Sequence, residues 1–134
     1  MIDIENQVFN RISVAVRKKY PDVNMSSEEQ LAPSAFPCVT VVEADNYTVA
    51  ETVDSSLDEN HANVMYEVNV FTNNASLKKA ECKKIYSIVD DEFRKMGFRR
   101  MSMLNTSSNN STVTRMTGRY TGIVGKDETI YGGY

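Results

Sequence analysis

The sequence predicts an α/β (α+β) fold, with a mainly antiparallel four- to five-stranded sheet and two principal helices packed on it in the order α-β-β-α-β-β. Three observations predict it. Val64, Tyr66, Val68 and Val70 alternate with Met65, Glu67, Asn69 and Phe71, which is the period of a strand. Immediately afterwards the period changes: Cys82, Ile85, Tyr86, Val89, Phe93 and Met96 recur three or four apart, which is one helical stripe. The same helical spacing occurs once more, near the N-terminus. A chain of 134 residues suggests one domain, 1–134, large enough to bury a core without disulfide or metal staples.

The first helix is expected over about Ile4–Tyr20. Ile4, Val8, Ile12, Ala15 or Val16, and Tyr20 form its apolar stripe, with Phe9 beside it. Asp3 suits the N-cap, Arg17–Lys19 suit the last turn, and Pro21 stops the helix. Asp3, Glu5, Asn6, Asn10 and Ser13 dilute the basic face, so the helix is read as core-packing and not membrane-surface. Residues 22–36 read as a connection, with a helical turn around Ser27–Leu31 supported by the capping-box spacing of Ser26 and Glu29. Pro37 then opens a buried strand over Cys38–Ala44.

Residues 45–62 read as a long acidic loop, with a short strand around Tyr47–Val53 and the single histidine, His61, exposed at its end. Its acids lack the spacing of a calcium loop. After the Val64–Phe71 strand, Asn74 can cap the second helix, which starts near Leu77. Gly97 suits a left-handed C-cap. Phe98–Leu104 and Thr112–Val124 form a hairpin joined by the polar turn 105–111. Met116, Tyr120 and Val124 share one strand face, with Gly118 and Gly122 between them. Lys126–Asp127 is read as a turn, Thr129–Tyr131 as a few strand residues, and 125–134 as a flexible C-terminal tail.

The composition is that of an ordinary globular protein, with 41% hydrophobic and 25% charged residues. No run of about 18 apolar residues is present, and MIDIENQVF lacks the pattern of a signal peptide. A reducing cytoplasm is therefore expected, with Cys38 and Cys82 as buried thiols. Gly125-Lys126 is no phosphate loop, because Asp127 stands where the Ser or Thr would be. Asp90–Asp91 is a poor acid/base pair, since neighbours on a helix point apart. No catalytic, cofactor-binding or metal-ligating residue is expected. An enzyme would need a perturbed titratable pair in a cleft, and a ligand-binding domain an apolar pocket; no sequence feature favours either.

The net charge of −3 conceals a segregation. Between Lys19 and Lys78 there are ten acids and no Lys or Arg. The remainder carries all 15 basic residues against eight acids, a balance of +7. A set of solvated faces would account for this. Head-to-tail self-association, in which an acidic face meets a neighbour's basic one, accounts for it as well. Arg99, Arg100, Arg115 and Arg119 make the last hairpin basic, but a pI of about 5.2 and thin aromatic interleaving argue against sequence-specific nucleic-acid binding.

The element order carries a set of short patterns: a helix ending KKYPDV, then FPCVTVVEAD, YEVNVFTNN before KKAECKKIYSIVDDEF, then GFRRMSM, and a closing RYTGIVGKDETIY. In these the chain resembles the tail-completion proteins of long-tailed bacteriophages, the tail terminators or tail-to-head joining proteins. The resemblance covers nearly the whole chain. It implies a structural virion protein with no enzymatic activity and no cofactor. Such a protein is monomeric or weakly associated in solution, assembles in the host cytoplasm, and forms a hexameric ring on the tail tube. Its implied partners are itself, the tail tube protein and the head connector or stopper, with transient unspecific passage of viral DNA and no membrane. On charge and loop position, Asp54, Asp58 and Glu59 are the expected partners of Arg99, Arg100, Arg115 or Arg119 across a subunit interface. Another neck component, such as a head-completion, stopper or minor capsid protein, is the alternative, and a cellular ligand-binding α+β domain a more distant one.

Overall fold

A computed structural model describes residues 1–28, 35–48, 61–73, 78–107, 113–128 and 130–131. The elements are α1 (Glu5–Arg17), β1 (Asn24–Ser26), β2 (Cys38–Thr48), β3 (His61–Thr72), α2 (Lys78–Met96), β4 (Arg99–Ser107), β5 (Thr114–Gly125) and β6 (Ile130–Tyr131). The expected α-β-β-α-β-β order stands, with two short strands added. Among the described residues the sheet runs β1-β2-β3-β5-β4, and β6 pairs with the end of β5. Every pairing is antiparallel except β1 with β2. No described helix is long and apolar enough to cross a membrane.

Alternation along β3 explains the two layers. Ala62, Val64, Tyr66, Val68 and Val70 are fully buried and face the helices. They stand in register with Val124, Gly122, Tyr120, Gly118 and Met116 of β5. Val8, Ile12 and Val16 of α1 and Cys82, Ile85, Tyr86, Val89 and Phe93 of α2 close the core from above. Ser13, assigned to the polar face by its chemistry, is instead buried beside Ile12. The N-cap of α1 is Ile4 and not Asp3, yet Asp3 Oδ1 accepts the Glu5 N–H at 3.1 Å and still serves the helix start.

The exit of α2 follows the expected glycine. Gly97 has φ 102°, the Gly97 N–H donates to Arg94 O, and the Phe98 N–H donates to Phe93 O, both at 3.0 Å. This is a Schellman ending, and its hydrophobic contact is present: the Phe93 and Phe98 rings meet edge to face at 5.4 Å. Phe93 also stacks on Tyr120 at 4.3 Å and 6°, and Tyr66 completes the aromatic cluster, 5.6 Å from Phe98.

Several boundaries move. The acidic loop is shorter than 45–62, because Asp45–Thr48 pair with Met65–Ala62 past a register shift between Glu43 and Asp45. His61 is therefore a half-buried strand residue opposite Gly125, not an exposed loop residue. Asn105–Ser107 belong to β4, held by Met116–Thr114, so the hairpin turn starts later. β1 was not anticipated; it pairs with Cys38–Thr40 through three residues. The tail is partly structured, since Ile130 and Tyr131 pair with Val124 and Ile123. The helical turn at Ser27–Leu31, the Asn74 cap and Gly132–Tyr134 lie wholly or mostly outside the described residues.

Cys38 and Cys82 are free and fully buried. Cys38 shares the register parity of Phe71, while Cys82 donates to Val70 O on the helix side at 3.3 Å. The thiols thus sit on opposite faces of the sheet. Burial pushes both pKa values up to about 11, which keeps them protonated and unreactive.

Candidate subunit-interaction surface

Strand order decides where charges gather. β2 and β4 lie on opposite sides of β3 and β5, three strand spacings or about 14 Å apart. At the β2 side the start of α1 meets the end of β2. Asn46 Nδ2 donates to Ile2 O at 2.8 Å and to Glu43 Oε1 at 3.3 Å. This brings the carboxylates of Asp3, Glu5 and Glu43 within 4.8 Å of one another, with exposed Asp45 following on the strand. Burial raises the Glu43 pKa above the usual carboxylate range, Glu5 and Asp3 add to the rise, and hydrogen bonds from Asn46 and Tyr66 oppose it. Asp3, Glu5 and Glu43 have the proximity of metal ligands, but Glu43 already accepts from Asn46 and Tyr66.

At the other side α2 runs along β4 and leaves a groove. Its larger part, about 620 Å³, is lined by Asp90, Asp91, Arg94, Lys95, Phe98, Arg99 and Arg100. A smaller part of about 270 Å³ continues toward Lys83 and Met116. Asp90 forms the floor. Its Oδ1 pairs with Arg100 Nη1 at 3.2 Å and accepts the Tyr120 hydroxyl at 2.7 Å. Tyr120 and Tyr86 hydroxyl oxygens are 3.0 Å apart. A hydroxyl has one proton, so Tyr86 donates to Tyr120 and Tyr120 donates to Asp90. Burial raises both tyrosine pKa values, and the Asp90 charge adds to the rise at both. They therefore act as neutral hydrogen-bonding groups. Asp90→Ala would leave the Tyr120 hydroxyl without its acceptor, and urea unfolding should show a loss of about 2 kcal/mol.

The seven residues singled out by sequence fall into three places. Asp54, Asp58 and Glu59 lie outside the described residues. Arg99 and Arg100 line the groove at the β4 edge. Arg115 and Arg119 lie on the sheet face away from the helices. There Arg115 is internally engaged: its Nε donates to Asn69 Oδ1 at 2.9 Å, and its guanidinium lies 5.5 Å from the Phe71 ring centre. Thr117 donates to the same oxygen at 2.6 Å. Arg115 therefore orders the sheet, whereas exposed Arg119 is accessible to a partner. Reversing both arginines together, the direct test of the sequence expectation, would mix these two roles. The structure thus places Arg99 and Arg100 together in the groove lining, with Arg100 opposite Tyr120 on the helix face and Arg99 opposite Thr121 on the face that also carries Arg115 and Arg119.

Sequence reasoning missed that Arg94 and Lys95, in the last turn of α2, share the groove with Arg99 and Arg100. The two-residue link Gly97–Phe98 was the available signal, because it turns the chain back beside α2. Charge is not perfectly divided. Asp90 and Asp91 sit among the cations, and Arg17–Lys19 lie at the end of α1 remote from Asp3. Arg11 and Glu92 tie α1 to α2 at 3.0 Å. For Glu92, the rise from burial is outweighed by Arg11 and Lys95, and its pKa is lowered. Its contribution is present above the ordinary carboxylate pKa and is lost as pH falls through the lowered one; being partly exposed, the pair contributes less than about 1 kcal/mol.

The chain matches no protein-family model and no curated protein by sequence.

Proposed function

We propose that this chain is a structural virion protein that caps a phage tail tube as a hexameric ring. It stops tube elongation and presents the surface that joins the tail to the head connector. The reading rests on the family resemblance of the sequence. The observation that carries it further is the separation of an acidic side at β2 from a cationic groove at β4 on one domain. Identical copies with complementary opposite sides associate heterologously, and heterologous contacts generate rings when the rotation closes. The two-layer α/β fold is the one the resemblance implies. The groove is lined mainly by charged side chains, which suits a protein surface better than an apolar metabolite.

Electron microscopy of particles made without this gene tests the proposal. Overlong tubes are expected. Tubes of normal length without heads would favour the alternative neck role, a stopper or head-completion protein. Normal infectious virions would overturn both.

A further inference from the structure

The separation of charge assigns a specific contact. We infer that the α2–β4 groove is the socket for the acidic β2 side of a second copy of this chain. Asp3, Glu5, Glu43 and Asp45 of one molecule face Arg94, Lys95, Arg99 and Arg100 of the next. This deepens the ring reading and rests on it.

Three features select this occupant. First, the groove has surplus positive charge. Across its two parts, five cationic side chains (Lys83, Arg94, Lys95, Arg99 and Arg100) line it with two acids. Asp90 is already committed to Arg100 and Tyr120, and Lys95 reaches Glu92 at 3.5 Å, which leaves Lys83, Arg94 and Arg99 against Asp91. Second, a cluster of acids that has no salt bridge to a described cation lies on the far side of the same sheet. Asp3, Glu5 and Glu43 converge within 4.8 Å, which costs mutual repulsion that a cationic neighbour would relieve. Third, the two patches differ and lie on opposite sides. A two-fold contact between matching grooves would oppose like charges; a head-to-tail contact joins unlike patches, and the resulting pair keeps one free groove and one free acidic side for further copies. A nucleic-acid backbone could also satisfy the cations, but it would leave the acidic side unanswered.

Carbodiimide coupling of the full-length protein tests the contact, because it joins a carboxyl group to a lysine amine only where the two touch. Equal amounts of ¹⁴N- and ¹⁵N-labelled protein are mixed at low salt, so that links between copies carry both isotopes. Hybrid links from Lys95 or Lys83 to Asp3, Glu5, Glu43 or Asp45 are expected. The variant R94E/R99E should lower them at least about tenfold, as reversal of one side of a close charge pair does. The variant E5R/D45R should lower them equally. Mixing the two variants should restore the links from Lys95 of the first to Asp3 of the second. That restoration separates charge complementarity from loss of folding, and matching urea midpoints provide an independent check. Absence of hybrid links in the unaltered protein, links confined to other surfaces, or no restoration in the mixture would overturn the inference. So would a short DNA duplex that protects Lys95 while hybrid links stay absent. Overlong tubes without the gene, together with no such links, would sink this contact and leave the capping role standing. The links together with normal virions would do the reverse.

Discussion

Gly118→Ala should cost about 3 kcal/mol of stability, toward the upper end of what overpacking a filled core produces. At a few degrees per kcal/mol for a domain of this size, the melting temperature should fall by about 10 °C. Gly118 lies on the helix-facing side of β5, between Met116 and Tyr120. The Tyr86 side chain crosses above it. An added Cβ would overlap the Tyr86 hydroxyl and would stand 2.8 Å from Tyr86 Cζ. Tyr86 cannot simply swing aside, because it is 2% exposed and bonded to Tyr120. The backbone conformation is not at issue here; the position requires space. A second variant makes the cause visible. Tyr86→Phe alone should cost about 1 kcal/mol for its lost hydrogen bond. Combined with Gly118→Ala it should recover at least about 1 kcal/mol of the sum, since the overlapping oxygen is gone. Strict additivity by urea unfolding would falsify the close approach of Tyr86 to β5.

Phe93→Ala should be at least as damaging, at about 3–5 kcal/mol, the usual range for emptying a large aromatic site in a core. Phe93 is completely buried. It stacks on Tyr120, meets Phe98 edge to face and lies 6.1 Å from Tyr66 at a tilt. The ring therefore joins α2 to β3, β5 and the chain entering β4. Its loss should be seen as a lower urea midpoint and as loss of near-ultraviolet dichroism from the tyrosines packed around it. Phe93→Leu should recover much of the deficit, because it refills most of the volume while losing the aromatic contacts. A Phe93→Ala protein within about 1 kcal/mol of the original would mean that the cluster collapses readily and is not the centre of the fold.

The two layers were legible because β3, α2 and β5 carry strong periods. Val64–Val70 alternate, and the stripe from Cys82 to Met96 repeats at helical spacing, so burial and local geometry agree. The Gly97 turn was legible for the same kind of local reason. β1 was not, since Asn24-Met25-Ser26 is too short to show a period and its parallel partner lies twelve or more residues away. Asp45–Thr48 have the polar, acidic character of a loop. Their strand conformation comes from Ala62–Met65 alongside, which is a tertiary effect.

The candidate site was half legible. Segregation of charge is a property of the sequence, and it directs attention to the arginines of the last hairpin. Their distribution over the two sheet faces depends on register: Arg100 stands opposite Tyr120 on the helix face, while Arg99 opposite Thr121 and Arg115 opposite Phe71 take the other. Residue type alone cannot distinguish these neighbours. The Tyr86–Tyr120–Asp90–Arg100 network was equally hidden, because Tyr120 lies about thirty residues from each of its partners on α2.

The outer strand of the sheet has a consequence for how the protein behaves when crowded. Among the described residues β4 has no strand on its outer edge, but its register shifts between Arg100 and Ser102, and Arg99, Arg100 and the displaced Met101 are all exposed there. A kinked border guarded by guanidinium groups is a poor template for backbone zippering. Crowded molecules are thereby steered away from endless fibrils and toward discrete contacts made by side chains.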